Sequence, residues 1–224
     1  MISNSLTQKV LIAGATGLVG AALLEILTKE ITVQEIVVLG RSEPSLKSAK
    51  IKFIPADFKD AERINACFEG VHTVFCCIGT IIKTAGSQEA FRKIDFGIPE
   101  TLAILAAKHQ VKSIIVISSI GADANSSNFY LRTKGEMENI VSSYKIPKTA
   151  FLRPSLINGP RKEFRWKELI TKVFLTLFSF MLVGKIKRYR AIDHDVIAMA
   201  MWRISNSANN TVIYESDDIQ WIGG

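Results

Sequence analysis

The chain has 224 residues, 48% of them hydrophobic and 22% charged, with a formal net charge of +7. That length fits one domain with a sizeable apolar core, and the composition is that of a globular protein, which excludes a disordered chain or a linker-rich array. The basic residues that bracket one late apolar stretch (Arg161, Lys162, Arg165 and Lys167 before it, Lys185, Lys187, Arg188 and Arg190 after it) come with no nucleic-acid-binding motif, so no nucleic-acid partner is expected.

In chain order, Met1 to Val10 shows no basic patch followed by an apolar run, so no secretory signal is expected. Lys9–Ala13 is a short strand-like run that ends at Gly14, and Leu18–Lys29 carries Leu23, Leu24 and Leu27 at helical spacing. Ile36–Leu39 and Ile51–Ala56 read as the second and third strands, with Asp57 and Asp60 near the start of the next helix. His72–Ile78 is a fourth strand, Glu89–His109 a long helix, Val111–Ser118 a fifth strand and Ser126–Tyr144 a helix. Thr149–Arg153 is a sixth strand, Lys167–Gly184 an apolar helix, Asp193–Ser205 another helix and Thr211–Tyr214 a last short strand. Strands apolar throughout, separated by helices, describe a parallel sheet buried on both faces and linked by right-handed crossovers. The expectation is therefore one α/β domain over residues 1–224, a Rossmann-type doubly wound sheet whose ligands sit beyond the carboxyl ends of its strands.

Cys67, Cys76 and Cys77 are an odd number, and an adjacent pair in an apolar run suits reduced, buried thiols. No His/Cys spacing resembles a metal site, and the expected compartment is the cytoplasm.

The first chemical signal is Gly14-Ala15-Thr16-Gly17-Leu18-Val19-Gly20, which follows a strand and opens a helix. A tight turn at Gly14, backbone close to a pyrophosphate at Gly17 and helix-on-strand packing at Gly20 would leave N–H groups at the helix start facing phosphate. The second strand continues into Gly40-Arg41-Ser42, with arginine where an NAD-selective sheet places an acid. A guanidinium grips a 2′-phosphate that a carboxylate would repel, so NADPH is expected over NADH, although Glu43 keeps NAD open.

The second signal follows the fifth strand. Ser118-Ser119 lies ahead of Tyr130, and Lys134 stands four residues beyond it on the same helix face. An ammonium beside a phenol favours the phenolate and makes the phenol a usable acid toward a carbonyl oxygen while hydride is transferred. Ser119 is the expected hydroxyl partner, with Ser118 packing or capping, and Ser126 and Ser127 are expected to cap the helix that carries Tyr130.

With these motifs in hand, the chain resembles the short-chain dehydrogenase/reductase superfamily. It is most similar to the atypical branch that includes Tat-interacting oxidoreductase-like proteins and relatives labelled nucleoside-diphosphate-sugar epimerases. GATGLVG at 14–20, LGRS at 39–42, ADF at 56–58, VFCCIGT at 74–80, SSIGADANSSNFYLRTKGEME at 118–138 and FLRPSLINGPR at 151–161 carry the resemblance. It implies that Asp57 and Phe58 flank an adenine, and that Cys77, Ile78 and Gly79 line the adenosine ribose and phosphates. It also implies that Arg153, Pro154, Ser155 and Leu156 lie beside the nicotinamide. One departure stands out: Asp95, in Lys93-Ile94-Asp95-Phe96-Gly97, occupies a place where many relatives carry an asparagine of a proton relay.

Glu168–Gly184 is apolar nearly all round, at the lower edge of the roughly 17–25 residues a membrane span needs, and Lys172 interrupts it. The resemblance makes residues 156–190 a small substrate lid over an apolar small-molecule substrate. The alternatives are an interfacial helix touching anionic lipid through residues 162–190, or a self-association surface. His194 lies between Asp193 and Asp195, but no nucleophile elbow accompanies it, and Asp193 is expected as a helix N-cap. The leading function is an NADPH-dependent oxidoreductase using Tyr130, Lys134 and Ser119. The alternative, motivated by Asp95, is an NADPH-binding regulatory protein with little catalysis. The stretch after residue 155 is too short for the separate domain that nucleotide-sugar epimerisation uses.

Overall fold

Seven parallel strands form one sheet, ordered β3-β2-β1-β4-β5-β6-β9, in the computed structural model, which describes residues 7–58, 61–159 and 191–224. The strands are β1 (Gln8–Ala13), β2 (Val33–Gly40), β3 (Ile51–Pro55), β4 (Val71–Cys76), β5 (Ser113–Ile117), β6 (Lys148–Arg153) and β9 (Ile213–Glu215). Their branched, apolar sequences suit a sheet covered on both sides, and alternate residues of each strand feed two separate cores. Val10 and Ile12 join Phe75, Ile115 and Leu152 under helices α1 (Leu18–Lys29), α7 (His194–Asn206) and α8 (Ser216–Gly223). Leu11 and Ala13 join Val74, Cys76 and Val116 under α2 (Ala61–Asn65), α5 (Ile98–Lys108) and α6 (Phe129–Ser143). This is the doubly wound sheet expected from the sequence.

The order of strands places β1 between β2 and β4, with Ala13 beside Leu39 on one side and Cys76 on the other. Chain direction across the sheet reverses there, and the crevice beyond those carboxyl ends is where such a sheet takes its ligand.

Three elements differ from the sequence reading. The helix expected over Glu89–His109 is interrupted. Following the short α3 (Ile82–Ala85), α4 (Gln88–Arg92) runs into a π-turn at Lys93–Gly97 before α5 continues. A π-turn inserts one extra residue and re-aims the side chains it carries, commonly at functional positions. The cap of α6 is Asn128, whose side chain accepts from Leu131 N at 3.2 Å, while the Ser126 hydroxyl accepts from Asn128 N one step earlier. Helix α8 was not anticipated; its start is fixed by a capping box between Glu215 and Asp218, in which Asp218 accepts from Glu215 N at 3.0 Å.

The apolar helix at 167–184 and most of the 156–190 lid region lie outside the described residues. On either side of that gap, β7 (Ile157–Asn158) pairs in parallel with β8 (Ile192–Asp193). Among the described residues no helix is long and apolar enough to cross a membrane.

Candidate functional site

The glycine turn joins β1 to α1, and Gly14 and Gly20 each have a separate packing reason. Gly14 has φ +90, and a Cβ there would lie 2.8 Å from the Cys77 carbonyl group, so both its backbone angle and the approach of the β4 loop exclude a side chain. A Cβ on Gly20 would fall 2.1 Å from Gly14 O, so α1 can press onto the turn only through glycine. Gly17 differs. Its added Cβ would meet nothing in the protein nearer than Gly14 O at 3.5 Å, and the residue is exposed. Protein packing does not demand glycine at 17; a ligand's approach to the backbone would.

Gly17 is also the N-cap of α1, with no side chain satisfying the first N–H groups and no acidic residue in the first turn. An anion is the natural partner for such a helix start. Thr16 is exposed and Leu18 half-buried, whereas Val19 and Gly20 are buried and can offer only backbone N–H.

At the neighbouring strand end, Arg41 and Ser42 are exposed beyond β2, and among the described residues no group pairs with the Arg41 guanidinium. Asp57 and Phe58 follow β3; Phe58 has φ +61, an unusual backbone for a bulky residue and one often retained at ligand sites. Beyond β4, Ile78 packs against the second core while Gly79 is exposed. The Cys77 thiol turns into the first core, its Sγ 3.8 Å from Met201 Sδ, and burial pushes it well up as an acid. Cys77 can therefore offer a ligand its backbone but not its sulfur.

The Tyr130 end of the site is buried and charged. Lys134 Nζ lies 2.7 Å from Asp95 Oδ1, with the two side chains 4% and 0% exposed. The π-turn turns Asp95 inward, and its other oxygen accepts from Thr80 N at 2.9 Å. A Cβ on Gly79 would sit 3.6 Å from Asp95 Oδ1 and 3.9 Å from Lys134 Nζ, so the β4 loop closes directly over the pair. Burial alone would push the Lys134 ammonium down, but the Asp95 carboxylate and then Tyr130 outweigh it and hold the ammonium above its ordinary range. The Tyr130 ring is fixed against buried Phe91 of α4, with centroids 5.5 Å apart.

The two serines lie in different surroundings. Ser119, the favoured hydroxyl, donates to Ile120 O at 3.3 Å within its own loop. Ser118 is buried, and its hydroxyl has no hydrogen-bond partner among the described residues. Strand alternation carried past β5 explains why the inward-facing hydroxyl belongs to Ser118.

Arg153 is also differently engaged from what the resemblance implies. Its guanidinium grips Glu138 through Nε at 3.0 Å and Nη2 at 2.6 Å, and Glu215 through Nη1 at 3.2 Å. It ties α6, β6 and β9 together through three of its five N–H donors. Pro154 is buried with its carbonyl bonded to Ile120 N, and Leu156 O accepts from Ile192 N, which fixes this segment beside the Ser118 loop and β8. Asp193 is the N-cap residue of α7, but its carboxylate accepts from Asn158 Nδ2 at 2.7 Å instead of capping.

The contact that sequence reasoning missed is the Asp95–Lys134 pair. Asp95 was legible as a departure, but its partner was not. A signal existed: Asp95 lies four residues after Phe91 and seven before Leu102, on the stripe that the helix buries.

Comparison with known proteins agrees with this geometry. The family model described as NAD(P)H-binding matches residues 14–169. A protein of Aspergillus niger named FMP52, mitochondrial, is 32% identical over 219 residues, covering 95% of this chain and 93% of its own length. FMP52-2, mitochondrial, of Scheffersomyces stipitis is 36% identical over 156 residues, covering 69% of this chain and 68% of its own. Among solved structures, the Bordetella bronchiseptica enzyme WbmH in complex with NAD+ superposes with a TM-score of 0.71 at 12% identity, covering 94% of this chain and 76% of that one. The mitochondrial names of the relatives overturn the cytoplasmic expectation. That expectation rested on reduced cysteines and the lack of a secretory leader, neither of which separates the cytoplasm from other reducing compartments.

Proposed function

The chain belongs to the NAD(P)H-binding family within the short-chain dehydrogenase/reductase superfamily, and from that premise we propose that it is an NADPH-dependent oxidoreductase acting on a carbonyl or alcohol substrate. The observation that carries the reading is a buried ammonium, Lys134, one helical turn from a tyrosine at the mouth of a sheet that already holds an open phosphate cradle.

The cradle fits a dinucleotide on its own terms, since no protein contact demands glycine at 17 and no side chain caps the start of α1. The N–H groups of Leu18 to Gly20 would hold the pyrophosphate, since that of Gly17 is taken by Gly14 O, and the Arg41 cation, which pairs with no described residue, suits the 2′-phosphate that separates NADPH from NADH. When bound, the nicotinamide supplies the hydride. Tyr130 holds the proton that a carbonyl oxygen needs, Lys134 sits behind it as the local positive charge, and the unpartnered Ser118 hydroxyl is available to orient the same oxygen. Ser119 stays as the second candidate for that role. The substrate would lie beyond β5 and β6, next to Pro154 and Leu156.

Turnover of a carbonyl panel with NADPH tests this. Tyr130→Phe is expected to lower kcat by about 10²–10⁴ without weakening NADPH binding. Arg41→Ala is expected to bring NADPH affinity down toward that of NADH. Full activity of Tyr130→Phe on every substrate sinks the reading.

A second reading is favoured by one feature. The Lys134 charge is already neutralised by Asp95, which suits a protein that binds NADPH to signal its level more than one that turns it over. Tight NADPH binding without turnover, together with a partner interaction that depends on NADPH, would select it.

A further inference from the structure

The loop that follows β4, residues 77–80, carries an inference that deepens the NADPH-dependent reading above and rests on it. We propose that Asp95 is a positioning residue for the nicotinamide half of the dinucleotide. Through its bond to Thr80 N it fixes the far end of this loop, and the loop sets where the half beyond the pyrophosphate comes to rest near Tyr130.

The loop is attached at two points, and they belong to different ends of the site. At its start, Cys77 N donates to Ala13 O at 2.8 Å, and the Cys77 carbonyl group lies 2.8 Å from where a Cβ on Gly14 would stand. That attachment is part of the cradle. Ile78 then packs against the second core, and Gly79 is exposed. Thr80 stands between β4 and α3, outside any helix or strand, so its N–H depends on a side chain for a partner. Asp95 Oδ2 supplies it, at 2.9 Å.

This second attachment is stiff. Asp95 is wholly buried in the π-turn, and its other oxygen lies 2.7 Å from Lys134 Nζ. Bonds to a charged group are shorter and stronger than neutral ones. One carboxylate thus joins three segments: the β4 loop, the π-turn and the part of α6 one turn beyond Tyr130.

Sheet order gives the loop its consequence. Strand β4 lies between β1, which leads into the cradle, and β5, which leads toward the helix of Tyr130. A dinucleotide held by its pyrophosphate at the start of α1 would pass along the β4 loop to bring its ring to Tyr130. Its adenosine half would run the other way, toward Arg41 and Asp57 beyond β2 and β3. Loosening Thr80 should therefore be felt by one half of the ligand and not by the other. The chemistry depends on that placing, since a misplacement of about 1 Å can cost about a hundredfold in rate.

The test reads the two halves separately, with NADPH and with 2′,5′-ADP, which has the adenosine half and its phosphates but no nicotinamide. A single change at 95 would strand the Lys134 ammonium in the interior, so both variants also carry Lys134→Met. Lys134→Met with Asp95→Asn keeps an uncharged acceptor for Thr80 N, whereas Lys134→Met with Asp95→Leu removes it. Calorimetric titration is expected to give 2′,5′-ADP affinities equal within about twofold, and NADPH binding about fivefold or more weaker in the Asp95→Leu protein, the size of one lost hydrogen bond. Equal NADPH affinities, or a parallel loss of both ligands, overturn the proposal, because a merely structural role spares or weakens both together. Should the Asp95→Leu protein fail to fold, amide hydrogen exchange in wild type, followed by NMR, decides. Slower exchange at Gly79 and Thr80 with NADPH but not with 2′,5′-ADP supports the proposal. The same response to both ligands, or a response to neither, overturns it. A wild type that bound neither ligand would instead remove the dinucleotide reading beneath it.

Discussion

Backbone holds the cradle end of the site, whereas buried charge holds the end around Tyr130, and the two ends obey different rules. At the cradle the determinants are local: three glycines within seven residues, a strand before them and a helix after them, with no ionisable side chain involved. Around Tyr130 the determinants are distant. Lys134 meets a carboxylate 39 residues earlier in the chain, through a π-turn and a backbone N–H from a third segment. The first kind of site tolerates change in its surroundings but not in its own atoms. The second depends on every partner staying in place, because a buried charge without its counter-charge is costly.

The largest effect is expected where the cradle's packing and the sheet coincide. Gly20→Val drives a side chain into Gly14 O, 2.1 Å from where its Cβ would begin, and no rotamer escapes the backbone. A loss of about 4–5 kcal/mol is expected, read as a melting temperature lowered by roughly 10 °C or more, or as failure to fold. A Gly20→Val protein as stable as wild type would break the claim that this end is held by backbone contact.

Breaking the charged end comes next. Lys134→Met strands the Asp95 carboxylate in the interior and is expected to cost about 3–5 kcal/mol in chemical denaturation. Adding Asp95→Leu to it is expected to restore part of that loss, since the pair is replaced by apolar groups of similar size. Strictly additive losses would mean that the two residues do not act as a unit.

The pH dependence sharpens the contrast further, because only the charged end titrates. Lys134 is held above its ordinary 10.5, so the stability it contributes is complete below that value and is lost as pH rises through its folded value. The buried Cys76 thiol, raised from 9.0 to about 11, contributes stability that is complete below 9.0 and lost as pH rises toward 11. That contribution is roughly 2–3 kcal/mol. Urea unfolding at increasing pH should show the decline beginning near pH 9, and Cys76→Ala should delay its onset. An unchanged onset in Cys76→Ala would assign the alkaline loss elsewhere.

How far each end could be read in advance follows from the same distinction. The sheet, α1 and the glycine turn were legible because their signals are contiguous: Leu18–Lys29 is the helix its Leu23, Leu24 and Leu27 spacing describes, residue for residue. The Tyr130–Lys134 spacing was legible as an i, i+4 pair. The Asp95 contact was not, because a place on the buried stripe of the Glu89–His109 pattern does not show that Lys134, on another helix, is the partner it meets. Ser118 was expected to pack or cap and is buried, but sequence shows two adjacent hydroxyls and not which one the strand's alternation turns inward. Arg153 resembles a cofactor-side residue by motif alone; its partners Glu138 and Glu215 come from elements that only folding brings together.

The smallest effect on the fold and the most direct measurement of the central claim belong to one residue, Gly17. A side chain there meets no protein atom closely, so Gly17→Val is expected to fold with stability within about 1 kcal/mol of wild type. Calorimetric titration of both proteins with NADPH and NADH then isolates the cradle. Wild type should bind NADPH more tightly than NADH, and Gly17→Val should lose at least about tenfold in affinity for both, because its side chain occupies the place of the pyrophosphate. Unaltered affinity in the folded variant, or no dinucleotide binding by wild type, would contradict the account.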